Sequence, residues 1–366
     1  MSYLCVFLSF FSSLFLALLI IPKILFIAVK HSLFDTVNDR KIHAGNVPRI
    51  GGVSFIPCIL VSITFVLGIY YMNTDFNLGD LYFNNSEFYL LICALLLLYI
   101  GGIKDDLVGL RHYYKFYLQV ISSVIIVFSG LFINNLYGFL GIWTISPFVG
   151  IPLTVFIIIF IINSINFIDG MDGLASGLSI FALCVYGTLF MFHDLWFYTM
   201  LAFSTIGVLI PFFCYNVFGN AKRHNKLFMG DSGSLTLGLI LAFLAIRYCR
   251  HIPSNFEPFN NIVVIAFSPI IIPILDITNV IFIRLVSKKN LFVADNNHIH
   301  HKLLNLGLSK SVSLMLLLLL NGAICLFNFI IMKYLNGAII LLIDFILWAA
   351  INYYILIKRK KNVVNQ

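Results

Sequence analysis

The sequence predicts an all-α protein that crosses a membrane many times, and three observations support this fold class. The first is composition: 61% of the 366 residues are hydrophobic, only 10% are charged, and the mean hydropathy is +1.00. Such a balance is typical of polytopic membrane proteins rather than soluble domains. The second is a series of eleven long apolar stretches. The third is the uneven distribution of Lys and Arg among the segments that join them.

Each apolar stretch is close to the ~20 residues with which an α-helix crosses the hydrocarbon of a bilayer. The stretches lie near residues 3–29, 50–72, 87–103, 114–132, 149–167, 173–192, 196–218, 234–249, 260–284, 313–332 and 337–357. The first lacks a basic leader and a small-residue cleavage site, so it is interpreted as a retained span rather than a signal peptide. No repeat or soluble domain is visible, and residues 1–366 are predicted to form one membrane domain.

The charge distribution predicts the orientation of these spans. If the N-terminus lies outside, most of the 23 Lys and Arg residues fall in segments on the inner side. Cytoplasmic loops are enriched in Lys and Arg, so the N-terminus is expected outside and the C-terminus in the cytoplasm. The formal net charge of +8 then reflects orientation in a lipid bilayer with anionic headgroups and does not indicate a nucleic-acid partner.

The segments assigned to the cytoplasmic side contain almost every residue with a reactive side chain. They follow the first, third, fifth, seventh and ninth spans. Their sequences are DRKIHAGNVPRIGG (39–52), GGIKDDLVGLRHYYK (101–115), FIINSINFIDGMDGLASG (160–177), AKRHNKLFMGDSGS (221–234) and FVADNNHIHHKLL (292–304). Because all five converge on one membrane face, they predict a single site on the cytoplasmic side.

Acidic and amide residues form the first part of that site. Asp105 and Asp106 are adjacent carboxylates in a chain that is poor in charge, which suits a proton acceptor or a cation contact, although a solvated loop could also hold them. Asn163 and Asn166 are three residues apart and share a helix face. Two Asp-Gly pairs follow them. A tight turn explains the glycines, but polar residues at membrane depth usually face a functional cavity.

The segment MGDSGS has two interpretations. Asp231 could cap the eighth helix. Alternatively, the free backbone N–H groups of a helix start could bind phosphate while Asp231 holds Mg²⁺ against it. The cluster His298, His300 and His301 could donate to phosphate or carry a proton. Zinc is disfavoured, because the seven cysteines are scattered and the nearby ligands are hard oxygens.

Three cationic side chains precede the second span. Lys41, His43 and Arg49 suit contacts with an anionic substrate, while the Pro-Arg-x-Gly-Gly part could simply be a turn. Together the segments supply oxygen ligands for Mg²⁺ (Mn²⁺ being an alternative) and cations for phosphate at headgroup depth. On physical grounds they predict a membrane-embedded phosphotransferase that acts on a lipid. They leave the transferred group open.

The five segments also resemble, in this order, a known family. KIHAGNVPRIGG, KDDLVGL, NSINFIDGMDGLASG, FMGDSGS and DNNHIHH, spanning residues 39–301, are similar to motifs of the polyprenyl-phosphate N-acetylhexosamine-1-phosphate transferases. The resemblance implies transfer of a HexNAc-1-phosphate, with GlcNAc-1-phosphate as the first expectation, from a UDP-sugar to undecaprenyl phosphate. UMP is released, and the lipid-linked sugar starts a cell-envelope polysaccharide or glycan. A bacterial inner (cytoplasmic) membrane is the implied location.

The resemblance further implies roles for individual residues. Asp231 and Asn166 would hold Mg²⁺ on the diphosphate of the donor. Asp105 would take a proton from the lipid phosphate, with Asp106 beside it. Asp169 and His298 complete the implied catalytic set. The implied substrate contacts are Asp172 at the nucleotide pocket, Phe228 on the uracil ring, and Lys41, His43, Arg49, Asn163, His300 and His301 on phosphates or sugar.

Several alternatives stay open at this point. Some relatives have a third acid where this chain has Gly109, and Asp276 inside the ninth span could border the cavity or pair with a neighbouring helix. The HIHH form argues against a UDP-MurNAc-pentapeptide donor, while UDP-GalNAc and a UDP-linked deoxy-amino sugar stay as alternatives to UDP-GlcNAc. A covalent aspartyl intermediate and a homodimer are further options. A transporter is the alternative from another class, although it would favour scattered acids and an internal repeat.

Overall fold

The computed structural model describes residues 2–31, 33, 47–72, 85–250, 261–288 and 297–364. Within these residues the chain is mainly helical, and an isolated β-bridge joins Asn135 and Thr144. In chain order the helices are α1 (Ser2–Lys30), α2 (Phe55–Met72), α3 (Asn85–Val108), α4 (His112–Phe128), α5 (Pro147–Ile168), α6 (Leu174–Phe192), α7 (Trp196–Val217), α8 (Gly230–Arg250), α9 (Ile262–Phe267), α10 (Ile271–Val286), α11 (Ile299–Asn305), α12 (Lys310–Ile331) and α13 (Gly337–Val364). The predicted all-α fold is confirmed.

Ten segments of the described chain are long and apolar enough to cross a membrane, so this is a multi-pass membrane protein. Two of these spans combine several elements. Gly51–Met72 joins a 3₁₀ turn to α2, and Ile262–Val286 joins α9 to α10. The remaining predicted span corresponds to α4, which has 17 residues and a length of about 25 Å at the usual rise.

Despite its length, α4 runs from one end of the bundle to the other beside α5. In its middle, Gln119 exchanges hydrogen bonds with Asn163 in the last part of α5. Beyond its end, the N–H of Ile133 donates to Oγ1 of Thr154 near the start of α5 (2.9 Å). The two helices are therefore antiparallel, and α4 crosses the bundle as the fourth of the eleven predicted spans.

The start of α1 and the end of α13 lie at opposite ends of the bundle. Tyr3 packs against Trp196 at the start of α7 (ring centroids 4.6 Å apart). At the other end of α7, Asn216 accepts a bond from the N–H of Gly173 and donates to the carbonyl of Leu227. This second end also holds the starts of α6 and α8, and it is called the acidic end below because Asp105, Asp106 and Asp231 lie there. The last helix, α13, runs towards the acidic end.

Helix α8 forms the centre of the bundle. In its most apolar part 94% of residues are buried, against 28% for α13. Small residues allow this burial: a Cβ added at Gly238 would lie 2.7 Å from Cα of Ile162 on α5. Helices pack closely in membranes where small residues face each other. The central position of α8 means that its first turn, with Asp231, is reached from several neighbouring helices.

The break between α9 and α10 is satisfied by a buried amide. Asn321 on α12 accepts a hydrogen bond from the N–H of Ile272 (3.2 Å) and donates to the carbonyl of Pro269 (3.1 Å). Backbone groups released inside a membrane span need such partners, because water is not available there. The amide therefore stabilises a short interruption in the span that carries Asp276.

A buried ion pair ties α3, α7 and α8 together at the end opposite the acidic end. Oε2 of Glu87 accepts a bond from the hydroxyl of Tyr198 (2.6 Å) and lies 3.3 Å from Nε of Arg247. The Arg247 guanidinium also stacks 4.8 Å from the centroid of the Tyr198 ring. Each charge thus has its compensation inside the protein.

We expect Glu87→Ala to destabilise the fold, because it leaves the guanidinium of Arg247 mostly buried and unpaired. Breaking one partner of a buried pair costs about 3 kcal/mol or more, and we expect the melting temperature in detergent to fall by at least ~5 °C. The double variant Glu87→Ala/Arg247→Met removes both charges and is expected to recover part of that loss. If the double variant is less stable than Glu87→Ala, the unpaired charge of Arg247 is not the cause of the destabilisation.

Candidate active site

Three carboxylates from two helices meet at the acidic end. Asp105 and Asp106 lie at the end of α3, and Asp231 is the second residue of α8. Each offers an oxygen within 4.8 Å of the others, and among the described residues this is the group of acids that could hold a metal ion. Like charges repel at such distances, so the cluster needs a cation.

Lys115, in the first turn of α4, supplies a positive charge to this cluster. Its Nζ lies 2.6 Å from Oδ2 of Asp105 and makes a short contact with Oδ2 of Asp231. From the sequence, Lys115 was interpreted only as an orientation charge. Its position at the start of a span, a few residues after the acidic pair, is the signal that could have identified it.

Asp106 has a different environment from Asp105. Its two oxygens accept hydrogen bonds from the backbone N–H groups of Asp231 (2.7 Å) and Ser232 (3.0 Å). These are unpaired donors of the first turn of α8, so Asp106 caps α8 from another helix and complements its dipole. The structure places Asp106 in the cluster, as predicted, but with its carboxylate committed to holding Asp231.

The two amides of α5 diverge. Asn166 donates to Oδ1 of Asp231 (2.7 Å) and to Oγ of Ser234 (2.8 Å), which brings it into the cluster. Its amide oxygen would have to turn towards the cluster before it could bind a metal. Asn163 instead pairs with Gln119 on α4. It therefore helps to align α4 with α5, and its predicted contact with substrate stays a prediction.

Glycines allow the segments of the site to approach one another. A Cβ added at Gly52 would lie 2.0 Å from the backbone N of Gly233, and one at Gly102 would lie 2.5 Å from Cα of Ser232. Gly230 has a φ of +75°, in the left-handed region that favours glycine. These contacts bring the starts of α2 and α8 and the end of α3 to one point.

Backbone hydrogen bonds join the PRIGG segment to the segment before α8. The N–H of Phe228 donates to the carbonyl of Pro48 (2.8 Å), and the N–H groups of Gly51 and Gly52 donate to the carbonyls of Phe228 (2.9 Å) and Met229 (2.8 Å). The sequence interpretation of PRIGG as a turn missed this pairing. Phe228, which is half-buried, is thereby held beside the segment that carries the exposed Arg49.

The turn between α5 and α6 carries the next two acids. Gly173 has a φ of +77°, which confirms the predicted turn. Oδ2 of Asp172 accepts from Nζ of Lys226 (2.8 Å) and lies 3.5 Å from Nζ of Lys310. Asp172 thus links this turn to the loop before α8 and to the start of α12.

Asp169 is surrounded by the other acids of the site. Burial raises its pKa well above the ordinary value for Asp. The charge of Arg49 opposes this shift, whereas the carboxylates of Asp231, Asp106 and Asp172 add to it. The raised pKa means that the carboxyl of Asp169 holds a proton more readily than an exposed Asp does.

The histidine motif lies at the start of α11. His300 is fully buried, and neither ring nitrogen has a hydrogen-bond partner among the described residues. Burial lowers its pKa well below the ordinary value, so the ring is neutral. A Cβ added at Gly170 would lie 2.4 Å from its Nε2. His300 thus reaches the first Asp-Gly pair, and His301 packs against it with ring centroids 4.2 Å apart.

His298 has a partner that the sequence interpretation left open. Its Nδ1 lies 2.8 Å from Oδ2 of Asp276, a residue of α10 that is 1% exposed. Of the two roles considered for Asp276, the structure shows pairing with a neighbouring segment. Lys41 and His43 lie outside the described residues. Gly109 has a φ of +76° at the end of α3, a conformation in which a third acid would be strained.

The donor set of the acidic cluster fits a hard divalent cation. It consists of carboxylates and one amide, and no cysteine of the described chain belongs to it. Oxygen ligands of this kind suit Mg²⁺ and Mn²⁺ better than zinc. The residues that could hold such an ion are Asp231, Asp105 and, after rotation of its amide, Asn166.

Comparison with known proteins identifies the family. Residues 88–249 match the model of glycosyl transferase family 4. The chain is 30% identical over 296 residues to undecaprenyl-phosphate alpha-N-acetylglucosaminyl 1-phosphate transferase of Salmonella typhi, covering 80% of this chain and 75% of that protein. It is 29% identical, over the same shares, to the protein of that name from Escherichia coli K12.

A relative from Bacillus subtilis strain 168 extends the likeness to almost the whole chain. It is named probable undecaprenyl-phosphate N-acetylglucosaminyl 1-phosphate transferase and is 29% identical over 359 residues, which cover 98% of this chain and 92% of that protein. The predicted family is confirmed, and the chain is an enzyme rather than a transporter. The chain belongs to glycosyl transferase family 4.

Proposed function

We propose that this enzyme transfers GlcNAc-1-phosphate from UDP-GlcNAc to undecaprenyl phosphate and releases UMP. The observation that carries the proposal is the cluster of Asp105, Asp231 and Lys115 at one end of a membrane bundle. It combines oxygen ligands for a divalent cation with a cation for phosphate, where the ends of several spans meet. The names of the Salmonella typhi and Bacillus subtilis relatives support the choice of sugar and acceptor.

In the proposed reaction, an oxygen of the lipid phosphate attacks the sugar-bearing phosphorus of the donor. One P–O bond forms, the bond to the bridging oxygen breaks, and UMP leaves with that oxygen. Asp105 accepts the proton of the lipid phosphate. When bound, Mg²⁺ would neutralise charge on the donor diphosphate. Asp231 and Asn166 would hold this ion, and Asp106 keeps Asp231 in place through the backbone of α8.

Other residues of the site would bind and orient the substrates. Phe228 has a partly open ring next to Arg49 and would stack on uracil. Asp169 and Asp172 would border the nucleotide, and His298, His300 and His301 would contact phosphate or sugar. Because Lys226 and Lys310 converge on Asp172, their ammonium groups are also near the nucleotide in this proposal.

The orientation follows from the same arrangement. The acidic end holds the starts and ends of helices that are flanked by most Lys and Arg residues, so we assign it to the cytoplasmic side of the inner membrane. The N-terminus then lies outside. The product, a sugar joined to a lipid through a diphosphate, is a substrate for glycosyl transfer, which is consistent with a role at the start of an envelope polysaccharide such as O antigen, or of another glycan.

The proposal is tested by UMP release from detergent-purified protein with undecaprenyl phosphate, Mg²⁺ and, in turn, UDP-GlcNAc, UDP-GalNAc and UDP-MurNAc-pentapeptide. We expect release with UDP-GlcNAc only, and its loss in Asp105→Asn. The matched control is Asp344→Asn, which changes a buried carboxylate that is bonded to Asn328, away from the acidic end. Stoichiometric UMP release without the lipid would indicate a covalent intermediate instead of direct attack. Absence of release with every donor would refute the proposal.

Removal of the Lys115 charge is expected to change metal dependence and rate in opposite directions. In Lys115→Gln the ammonium no longer competes for Asp105 and Asp231, so half-saturation by Mg²⁺ should need about tenfold less metal. The maximal rate should fall, because a phosphate contact is lost. The control is Lys104→Gln, an exposed lysine of the same segment. An increased Mg²⁺ requirement in Lys115→Gln would contradict this competition.

A further inference from the structure

Asp276 is an acid inside an apolar span, and both of its oxygens have defined partners. Oδ2 lies 2.8 Å from Nδ1 of His298, and Oδ1 accepts the backbone N–H of Ile299 (2.9 Å). The side chain is 1% exposed. A carboxylate buried in this way persists only where hydrogen bonds compensate its desolvation. Asp276 therefore fixes both the histidine ring and the backbone that follows it.

The contact determines which nitrogen of His298 carries the proton. Oδ1 of Asp276 accepts the N–H of Ile299, and with Oδ2 accepting as well, Nδ1 of His298 is the donor. Nε2 then lies on the far side of the ring from α10 and is left for another partner. A hydrogen bond at one nitrogen commonly selects the role of the other in this way.

The fixed ring lies against the last turn of α5, which also carries Asn166. Its centroid lies 5.9 Å from that of Phe167, the neighbour of Asn166 on α5. On the other side it is nearly parallel to the ring of His300, with centroids 5.8 Å apart and planes 13° apart. His300 in turn touches Gly170. The position of the His298 ring is thus set by α10, α5 and its own motif together.

We propose that Asp276 is a positioning residue that holds His298 in the Nδ1-protonated form and presents Nε2 to the substrate. The catalytic part of this inference rests on the proposed function, whereas the pairing and the tautomer do not. In the sequence, Asp276 lies in a membrane span and His298 lies in a separate polar segment. The proposal gives the buried acid of the ninth span a chemical role, in place of a purely structural one.

The test combines enzyme rates with ¹⁵N spectra of histidine-labelled protein in bilayers. We expect Asp276→Asn to lower UMP release by about 10- to 100-fold, the usual cost of losing a group that orients a ligand or base. His298→Asn should lower it at least as much, and the double variant should lose no more than His298→Asn alone. Asp344→Asn is the matched control for removal of a buried carboxylate and should retain wild-type rates.

The spectra show whether Asp276 sets the tautomer of His298, and they do so without depending on enzyme activity. The His298 signals are assigned by their absence in His298→Asn. The wild type should show a protonated Nδ1, and Asp276→Asn should change the protonation pattern of that ring alone. Two results together would overturn the proposal. The rate of the double variant would fall by the product of the two single losses, and Asp276→Asn would leave the His298 spectrum unchanged. A wild type that is inactive with every donor would refute the proposed function, while the spectra would still decide whether Asp276 sets the tautomer.

Discussion

Asp231→Asn is expected to lower UMP release by about a thousandfold at saturating substrate. The side chain keeps its size but loses the charge on which Lys115 and Asn166 converge. The electrostatic contribution of a bound divalent cation to phosphoryl transfer amounts to several kcal/mol, and ~4 kcal/mol corresponds to three orders of magnitude in rate. The measurement is the initial rate over a wide range of Mg²⁺ concentrations.

The Mg²⁺ dependence distinguishes the roles of the two reactive acids. Asp231→Asn should require far more Mg²⁺ for half-saturation, whereas Asp105→Asn should have a reduced maximal rate with a smaller change in that requirement. Asp344→Asn again controls for removal of a buried carboxylate. If the Asp231→Asn enzyme has the same Mg²⁺ dependence as the wild type, Asp231 does not bind the metal, and another residue must do so.

The fold could be predicted from the sequence because its main signal is local. A run of ~20 apolar residues requires no knowledge of its neighbours to be identified as a span, and all eleven stretches became helices. Even α4, with 17 residues, was visible in the sequence. Breaks inside a span were not, because the pairing of Asn321 with the backbone at Pro269 depends on the packing of α12.

Within the site, the charged and amide residues could be recognised from the sequence, but the partners of these residues could not. Asp105, Asp106, Asn166 and Asp231 were expected together and are together. The capping role of Asp106 could not be predicted, because it requires knowing that α3 ends at the first turn of α8. Lys115 was not identified, because in the sequence it was counted only among the Lys and Arg residues that predict orientation.

Residues inside spans were the hardest to interpret. Gln119 and Asp276 are polar residues in largely apolar helices, and sequence alone does not show which neighbour they face. The structure pairs Gln119 with Asn163 and Asp276 with His298. In a membrane each such residue needs a partner. The partner, however, belongs to a helix that is distant in the chain.

The close approach of α2 and α8 leads to the second large effect, in Gly52→Ala. The added methyl would lie 2.0 Å from N and 2.2 Å from Cα of Gly233. Both atoms are backbone, so no side chain can rotate away, and the start of α8 must move. Overpacking of this kind costs about 1–3 kcal/mol, and a displacement of ~1 Å at a catalytic group can cost about 100-fold in rate. We expect UMP release to fall at least that far.

A matched glycine on α2 separates this effect from a general change in helix stability. Gly68 has no atom within 4 Å of an added Cβ, so Gly68→Ala should keep its activity and gain the helix preference of Ala, up to ~1 kcal/mol. Circular dichroism and size-exclusion chromatography would show whether Gly52→Ala protein remains folded. If it is folded but inactive, the two-glycine contact sets the position of Asp231. If Gly52→Ala is as active as Gly68→Ala, the start of α8 tolerates displacement, and the geometry of Asp231 cannot depend on that contact.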